Sequence, residues 1–273
     1  MSLLSPDHIR LGLGNSYTVL AKIKGNKLTH WRMQTWPLTV DVTTTTSGWQ
    51  RGIEAVTSWL AEFNVRSSQV SVFLSAELGL LHLLPWRDDA VDPSSQAIIA
   101  NNYFSRVHSN FSQQWKTVVE PTGFEQPWIA SSVSNDLLQS FSQILNNASC
   151  NLHSVEPLCL SIYNEVRRQL GKTACWLIVP ETRKLNAMHL RDGHIQLLCS
   201  LPAESLQHES MTSLLLRETR LAGLPDIPTS IFIVTANKVN DTVKDTSIML
   251  QIGWKPVSSI PLTNPFHLIG VPS

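Results

Sequence analysis

Hydrophobic and polar positions along this chain follow two periods, one of two residues and one of between three and four, the signatures of strands and helices. His8–Leu13, residues 18–24 and residues 27–33 read as strands separated by Gly14-Asn15-Ser16 and Gly25-Asn26, so the chain opens on a three-stranded meander. Residues 43–46 are a loop. Ser47, with Gln50 three positions on, has the capping-box spacing, and Ile53, Val56, Trp59, Leu60 and Phe63 then share one helical face. Residues 70–74 form a short β-rich strand. The middle of the chain repeats this outline. Residues 151–155 alternate, Pro157 suits a first helical position, and Leu158, Ile162, Val166 and Leu170 recur every four residues before Gly171 stops the helix. Residues 174–179, 184–190 and 194–201 follow as strands, with Asp192-Gly193 a strong hairpin signal because both turn positions favour positive φ. An amphipathic helix over 204–221 (Leu206, Met211, Leu214, Leu215), closed by Gly223 and Pro225, and a strand over 231–235 complete the second round. Meander, helix and strand thus occur twice, which predicts two similar lobes that repeat in topology and not in residues.

Between the first strand set and the central unit lies an inserted segment. Residues 78–84 are apolar and end in the polar turn Pro85-Trp86-Arg87-Asp88-Asp89. Asp92 caps and Pro93 opens a helix whose predicted stripe is Ala97, Ala100, Phe104, Val107 and Phe111. Residues 116–121 and 128–133 read as a strand pair joined through Thr122-Gly123. Ser134 then caps a helix with Leu137, Leu138, Phe141 and Leu145 inward. Near the end, residues 243–252 predict a short helix, 255–262 a last strand, and 264–273 a tail laid over the surface.

Composition narrows the function classes. The 273 residues suffice for two lobes with a sizeable core, and Lys+Arg and Asp+Glu balance at 21 each, which excludes a global field toward nucleic acid or anionic lipid. A charged fraction of 15% and nine Trp point to surface reserved for a partner. The first residues lack a signal-peptide pattern, and no apolar run reaches the roughly 20 residues that span a bilayer. Cys150, Cys159, Cys175 and Cys199 lie inside apolar patterns and read as buried free thiols, so the sequons at Asn110, Asn147 and Asn240 carry no meaning.

Few residues carry candidate chemistry. Gly12-Leu13-Gly14-Asn15-Ser16 sits at a turn after the first strand, where glycine lets backbone N–H groups approach an anion. Tyr17 stands where a dinucleotide fingerprint needs its third glycine, and a strand follows where that motif needs a helix, so an ordinary tight turn is the competing reading. His153 and Glu156 have an acid and a base without a geometry that aims them at one substrate. Asp88-Asp89 reads as a solvated turn and Arg167-Arg168 as a solvated helix face. No metalloprotease, hydrolase-elbow, paired-cysteine or P-loop motif occurs. Tyr103 lies off the Phe104–Phe111 stripe and Trp115 follows the helix, so both are candidate partner-binding aromatics.

The whole length resembles the actin-like proteins of bacterial envelope machines, PilM-like proteins of type IV pili and the cytoplasmic part of GspL-like proteins of type II secretion. The resemblance rests on residues 9–23 as a first hairpin, residues 70–84 leading into an insertion, Ser154-Val155-Glu156-Pro157 before the central helix, and the strand order after Ala174. It implies an α/β, actin-like (ribonuclease H-like) two-lobed fold with a small inserted subdomain in the first lobe. The first lobe would cover 1–155, with the insertion at about 78–132, and the second 156–273. Nucleotide-binding members carry an Asp-x-Gly in the first hairpin, where this chain has Gly12 and Gly14. Their second phosphate hairpin matches residues 179–184, here Pro180-Glu181-Thr182-Arg183 without the Asp and glycines. Their adenosine glycines match Thr235-Ala236-Asn237-Lys238.

Without a metal carboxylate, phosphoryl transfer loses its main charge stabilisation. Gly12, Gly14, Asn15 and Ser16 are therefore expected to be a vestigial phosphate turn, with no catalysis, cofactor or metal. GspL-like proteins likewise have the fold without ATPase competence. The resemblance implies a cytoplasmic scaffold, peripheral to the inner membrane through a partner and without nucleic-acid binding or direct membrane insertion. Its partner would be an inner-membrane assembly protein whose short cytoplasmic N-terminal segment lies beside the insertion, with Tyr103 and Trp115 as anchors. That segment could also add to the edge of the 116–121/128–133 pair by backbone hydrogen bonds. A homodimer stays open. The alternatives are an ATP-binding PilM-like protein, against which Gly12 argues, and a kinase-like enzyme of the same superfold, which lacks a catalytic Asp in a suitable motif.

Overall fold

A computed structural model describes residues 7–25, 27–36, 48–90, 92–109, 111–112, 114–172, 174–203, 210–224, 230–236 and 260–262. The first half runs β1 (His8–Leu13), β2 (Tyr17–Lys24), β3 (Lys27–Thr35), α1 (Gly48–Glu62), β4 (Gln69–Leu74), β5 (Gly79–Leu84), α2 (Pro93–Val107), β6 (Trp115–Pro121), β7 (Trp128–Ser134), α3 (Asn135–Asn147) and β8 (Asn151–Pro157). The second runs α4 (Leu158–Leu170), β9 (Cys175–Pro180), β10 (Lys184–Arg191), β11 (His194–Pro202), α5 (Ser210–Leu221), β12 (Ile231–Ala236) and β13 (Ile260–Leu262).

The expected topological repeat is present. One five-stranded sheet has the order β3-β2-β1-β4-β8 and the other β11-β10-β9-β12-β13. In both, two antiparallel pairings are followed by two parallel ones. Even the irregularity repeats. The outer hairpin of each sheet shifts register after the sixth residue of its eight-residue strand, at Lys22/Ile23 and at His189/Leu190. In the second hairpin Asp192 (φ 54°) and Gly193 (φ 79°) both adopt the left-handed conformation that their pairing signals.

Alternation along the strands sorts side chains into layers. Ile9, Leu11, Leu13, Val70 and Val72 face α1 and α3, meeting Val56, Leu60, Leu137, Phe141 and Leu145. Val19, Ala21, Ile23 and Phe73 point the other way. They join Leu177, Val179, Met188 and Leu190 of the second sheet around α4, whose Leu158, Ile162, Val166 and Leu170 are all buried. Trp176, Ile178, Leu185 and Ala187 face α5 through Met211 and Leu215. The insertion has its own small core, Leu84, Ala100, Phe104, Trp128 and Ala130, between α2 and a three-stranded sheet of order β5-β7-β6.

Two expectations are corrected. Pro157 ends β8 and occupies the N-cap of α4 with extended backbone (φ −61°, ψ 130°), where a first helical position was expected. β8 is an edge strand, so a residue without an N–H costs no inner ladder bond there. In α2 the Asp92 cap and Pro93 start hold, but the buried stripe is Gln96, Ala100 and Phe104. Val107 is 50% exposed. The Ser47 cap, residues 43–46, the start of the 204–221 helix, Pro225, Asn237, Lys238, the helix at 243–252, the tail at 264–273 and the sequons Asn110 and Asn240 lie outside the described residues. Cys150, Cys159 and Cys175 are buried and Cys199 half-buried, all as free thiols. Burial holds the Cys175 thiol up at about 11 and that of Cys199 at about 12, so both stay protonated. Among the described residues no helix is long and apolar enough to cross a membrane.

Candidate functional site

The β1–β2 turn is packed shut by its own chain. The Gly14 N–H bonds the Tyr17 carbonyl (3.0 Å) and the Trp36 N–H the Ser16 carbonyl (2.9 Å), while Trp36 Nε1 donates to the Asn15 carbonyl (2.6 Å). The start of α1 lies against the same group. A Cβ on Gly48 would stand 2.2 Å from the Asn15 oxygen, and one on Gly14 would stand 2.4 Å from the Tyr17 ring. Glycine at 14 and 48 is thus explained by close approach within the protein. Gly12, in β1, gives its carbonyl to the Thr18 hydroxyl at 3.1 Å.

Opposite this turn stands the β9–β10 turn, Glu181-Thr182-Arg183, closed by the Glu181 N–H on the Lys184 carbonyl (2.8 Å). The two turns touch, with the hydroxyls of Ser16 and Thr182 3.3 Å apart. The Glu181 carboxylate crosses to the connection between β4 and β5. Its Oε2 accepts from the Ser75 hydroxyl (2.5 Å) and the Ala76 N–H (2.8 Å), and its Oε1 accepts from the Asn186 amide (2.6 Å). Burial pushes the Glu181 carboxyl above its ordinary value against the pull of those three hydrogen bonds. The neighbouring Tyr17 hydroxyl is also pushed up, by burial first and then by Glu181 and Glu77.

A second concavity, of about 310 Å³, lies where the insertion meets the edge of the first sheet. Residues 152–157 of β8 form one wall, and residues 79–81 of β5, 131–133 of β7 and Lys116 and Val118 of β6 the other, with Leu138 and Cys159 contributing from α3 and α4. Most of this lining is apolar. Leu152 is 37% and Val118 55% exposed, and among the described residues no strand lies beside the outer edge of β8. A groove that offers apolar side chains next to an open strand edge suits an extended, largely apolar peptide.

The sequence-predicted aromatics stand elsewhere on the insertion. Tyr103 is half-buried, its ring 5.1 Å from that of His82 and its hydroxyl 3.4 Å from His82 Nδ1. Half-buried Trp115 packs on Phe111 at 6.0 Å. Neither is among the residues lining the groove. His153 is the extra residue of a bulge in β8, and its ring meets that of His8 at 6.1 Å, so it and Glu156 are not set as an acid–base pair. Asp88 accepts from Trp86 Nε1 (2.8 Å) and Asp89 pairs with Arg87 (2.6 Å), a self-contained surface turn. Arg167 and Arg168 are exposed in the last turn of α4. Among the described residues no three His, Cys, Asp or Glu side chains stand together as metal ligands.

The sequence placed a partner segment beside the insertion, but it did not show the β8 wall of the groove or the reach of Glu181. A signal for the groove existed in Val118-Val119, because adjacent apolar residues in a strand point to opposite faces and one must face outward.

No family model and no curated protein sequence matches the chain. Its likeness is to solved structures. A PilM–PilN type IV pilus biogenesis complex superposes with a TM-score of 0.65 over 96% of this chain and 89% of the matched one, at 12% identity. The fold is actin-like. A Bacteroides thetaiotaomicron protein with an actin-like ATPase fold and unknown function matches with a TM-score of 0.56, at 10% identity over 94% of this chain and 91% of its own. The cytoplasmic domain of EpsL, an inner-membrane component of the type II secretion system of Vibrio cholerae, matches with a TM-score of 0.54, at 10% identity over 85% and 83% of the two chains. The actin-like fold expected from sequence is thereby met, and the chain is similar in structure to the PilM–PilN complex and to the EpsL cytoplasmic domain.

Proposed function

We propose that this chain is a non-catalytic actin-like scaffold on the cytoplasmic side of an inner-membrane type IV pilus or type II secretion assembly. It docks there through the insertion at about 78–132, held against a first lobe of residues 1–155, with 156–273 as the second lobe. The observation that carries the reading is the groove between β8 and the insertion, which leaves Leu152 and Val118 exposed beside a strand edge that no described strand covers. Likeness to a PilM–PilN complex and to the cytoplasmic domain of an inner-membrane component favours a membrane-assembly partner with a short extended cytoplasmic segment. The closed β1–β2 turn favours a scaffold over an ATP-driven device.

Capture of an inner-membrane assembly protein, sought among the reading frames that neighbour the gene for this chain, tests the docking. Leu152→Asp and Val118→Asp should weaken it about 30-fold, the equivalent of about 2 kcal/mol for a good interface anchor. The melting temperature should hardly change, because both side chains are exposed. Undiminished capture by both variants rejects the groove. In the same assay Tyr103→Ala and Trp115→Ala lose capture at constant melting temperature if they are anchors, and lower the melting temperature if they only seal the insertion.

Nucleotide is tested by melting with and without Mg-ATP. A ligand at a hundred times its Kd adds about 2.7 kcal/mol, roughly 5 °C or more in a chain of this size. The expected shift is below about 1 °C, and one of the larger size would restore the ATP-binding reading.

A further inference from the structure

Several polar contacts between the lobes meet on Glu181, at Ser75 and Ala76 on the margin of the groove, and docking of Leu152 and Val118 does not account for them. Ser75 and Asn186 are almost wholly buried, at 2% and 5% exposure. The Ser75 backbone is fixed at both ends, its N–H on the Leu13 carbonyl (2.9 Å) and its carbonyl under the Leu78 N–H (2.9 Å). Its hydroxyl and the Ala76 N–H therefore stand in place as a pair of donors from the first lobe, and Asn186 supplies a third from the second lobe. Three preset donors that meet on two oxygens recognise an anion, whether a carboxylate or a phosphate. They lie beside the contact between Ser16 and Thr182, where the two turns close the cleft.

We propose that Ser75, Ala76 and Asn186 form an anion seat between the lobes and that Glu181 is its built-in occupant, which ties the lobes together and keeps phosphate-bearing ligands out. A tethered carboxylate competes at the effective concentration of an intramolecular ligand, in the millimolar range or above, so a weak free anion does not displace it. The charged neighbour acting on Glu181 is another acid, Glu77, so the seat works through hydrogen bonds and suits a small anion. A polyphosphate would bring more negative charge than these donors offset.

Glu181→Ala empties the seat and leaves its donors unpaired. Melting this variant and the wild type against acetate and against inorganic phosphate, with chloride at matched ionic strength as control, tests the proposal. Expected is a saturable rise of about 2 °C or more in Glu181→Ala with one or both anions and none in the wild type. Acetate acting alone identifies a carboxylate seat, and phosphate acting alone a phosphate seat. No rise with either, or the same rise in both proteins, overturns the proposal.

Amide exchange in the unaltered protein gives a readout that does not depend on the variant folding. The Ala76 N–H should be protected to about the level of the adjoining β4 amides, and exchange at the rate of an open loop would likewise overturn the seat. Ser75 and Ala76 also line the groove, but the anion and exchange readouts use no partner and the capture readout uses Leu152 and Val118, so the two proposals fail separately.

Discussion

At the scale of single residues, pairs of neutral polar groups hold the insertion together, and their protonation is a measurable liability. The ring of His82 lies among those of Tyr103 and Phe104, at 5.1 and 5.7 Å, and its Nε2 is 2.9 Å from Nε2 of His108. One imidazole must donate and the other accept, and a charge on His82 would be both buried and beside a second imidazole. Burial first, and His108 second, push His82 down to about 4 from an ordinary 6.5. His108 is itself lowered by burial and by Lys184. The unfolded chain therefore binds more protons than the folded one between pH 6.5 and about 4. Stability from His82 is complete above that window and is lost as pH falls through it. His82→Asn should start from a lower melting temperature at pH 7 and lose less on going to pH 5 than the wild type does. Equal losses would place the acid sensitivity elsewhere.

At the scale of elements, local chemistry made most of the fold legible and a few local compensations hid the rest. The Asp192-Gly193 hairpin, the Asp92 cap with Pro93 behind it and the four-residue recurrence along α4 each rest on one short-range rule, and each is realised. The α2 stripe was misjudged because its first buried member is polar. Gln96 occupies a core position by donating its amide to the Ala90 carbonyl (3.2 Å), which no apolar count reveals. Pro157 was misplaced by a single residue, because β8 continues to the very start of α4. The candidate sites were less legible, since both are made by distant segments. The groove joins β5, β6, β7 and β8, and the Glu181 carboxylate meets donors more than a hundred positions away, at Ser75 and Ala76 (|i−j| of 106 and 105). Glu181 was visible only as a departure from an expected pattern, and a departure names no partner.

At the scale of the whole molecule, the repeated sheets raise the question of whether the lobes melt apart, and the packing around α4 answers it. A linker helix would bury one face against one lobe. Ile162 of α4, 2% exposed, instead belongs to a core cluster that holds Val19, Ala21, Ile23 and Phe73 of the first sheet together with Leu177, Val179 and Met188 of the second. Removing side-chain volume there withdraws contacts from both sheets at once, whereas the fully buried Leu215 of α5 packs, among the described residues, only in the second lobe's outer layer. Either truncation to alanine should cost about 2–5 kcal/mol, as buried Leu and Ile truncations do. If the shared core couples the lobes, Ile162→Ala and Leu215→Ala both shift one cooperative transition followed by calorimetry. Two resolved transitions in the wild type, or a Leu215→Ala scan in which only part of the heat absorption moves, would mean that the lobes fold separately despite the helix between them. The Glu181 contact reinforces the same coupling from the cleft side, so Glu181→Ala is the natural background in which to repeat Ile162→Ala. A loss of cooperativity in the double variant that neither single change produces would locate the coupling in the helix and the carboxylate together.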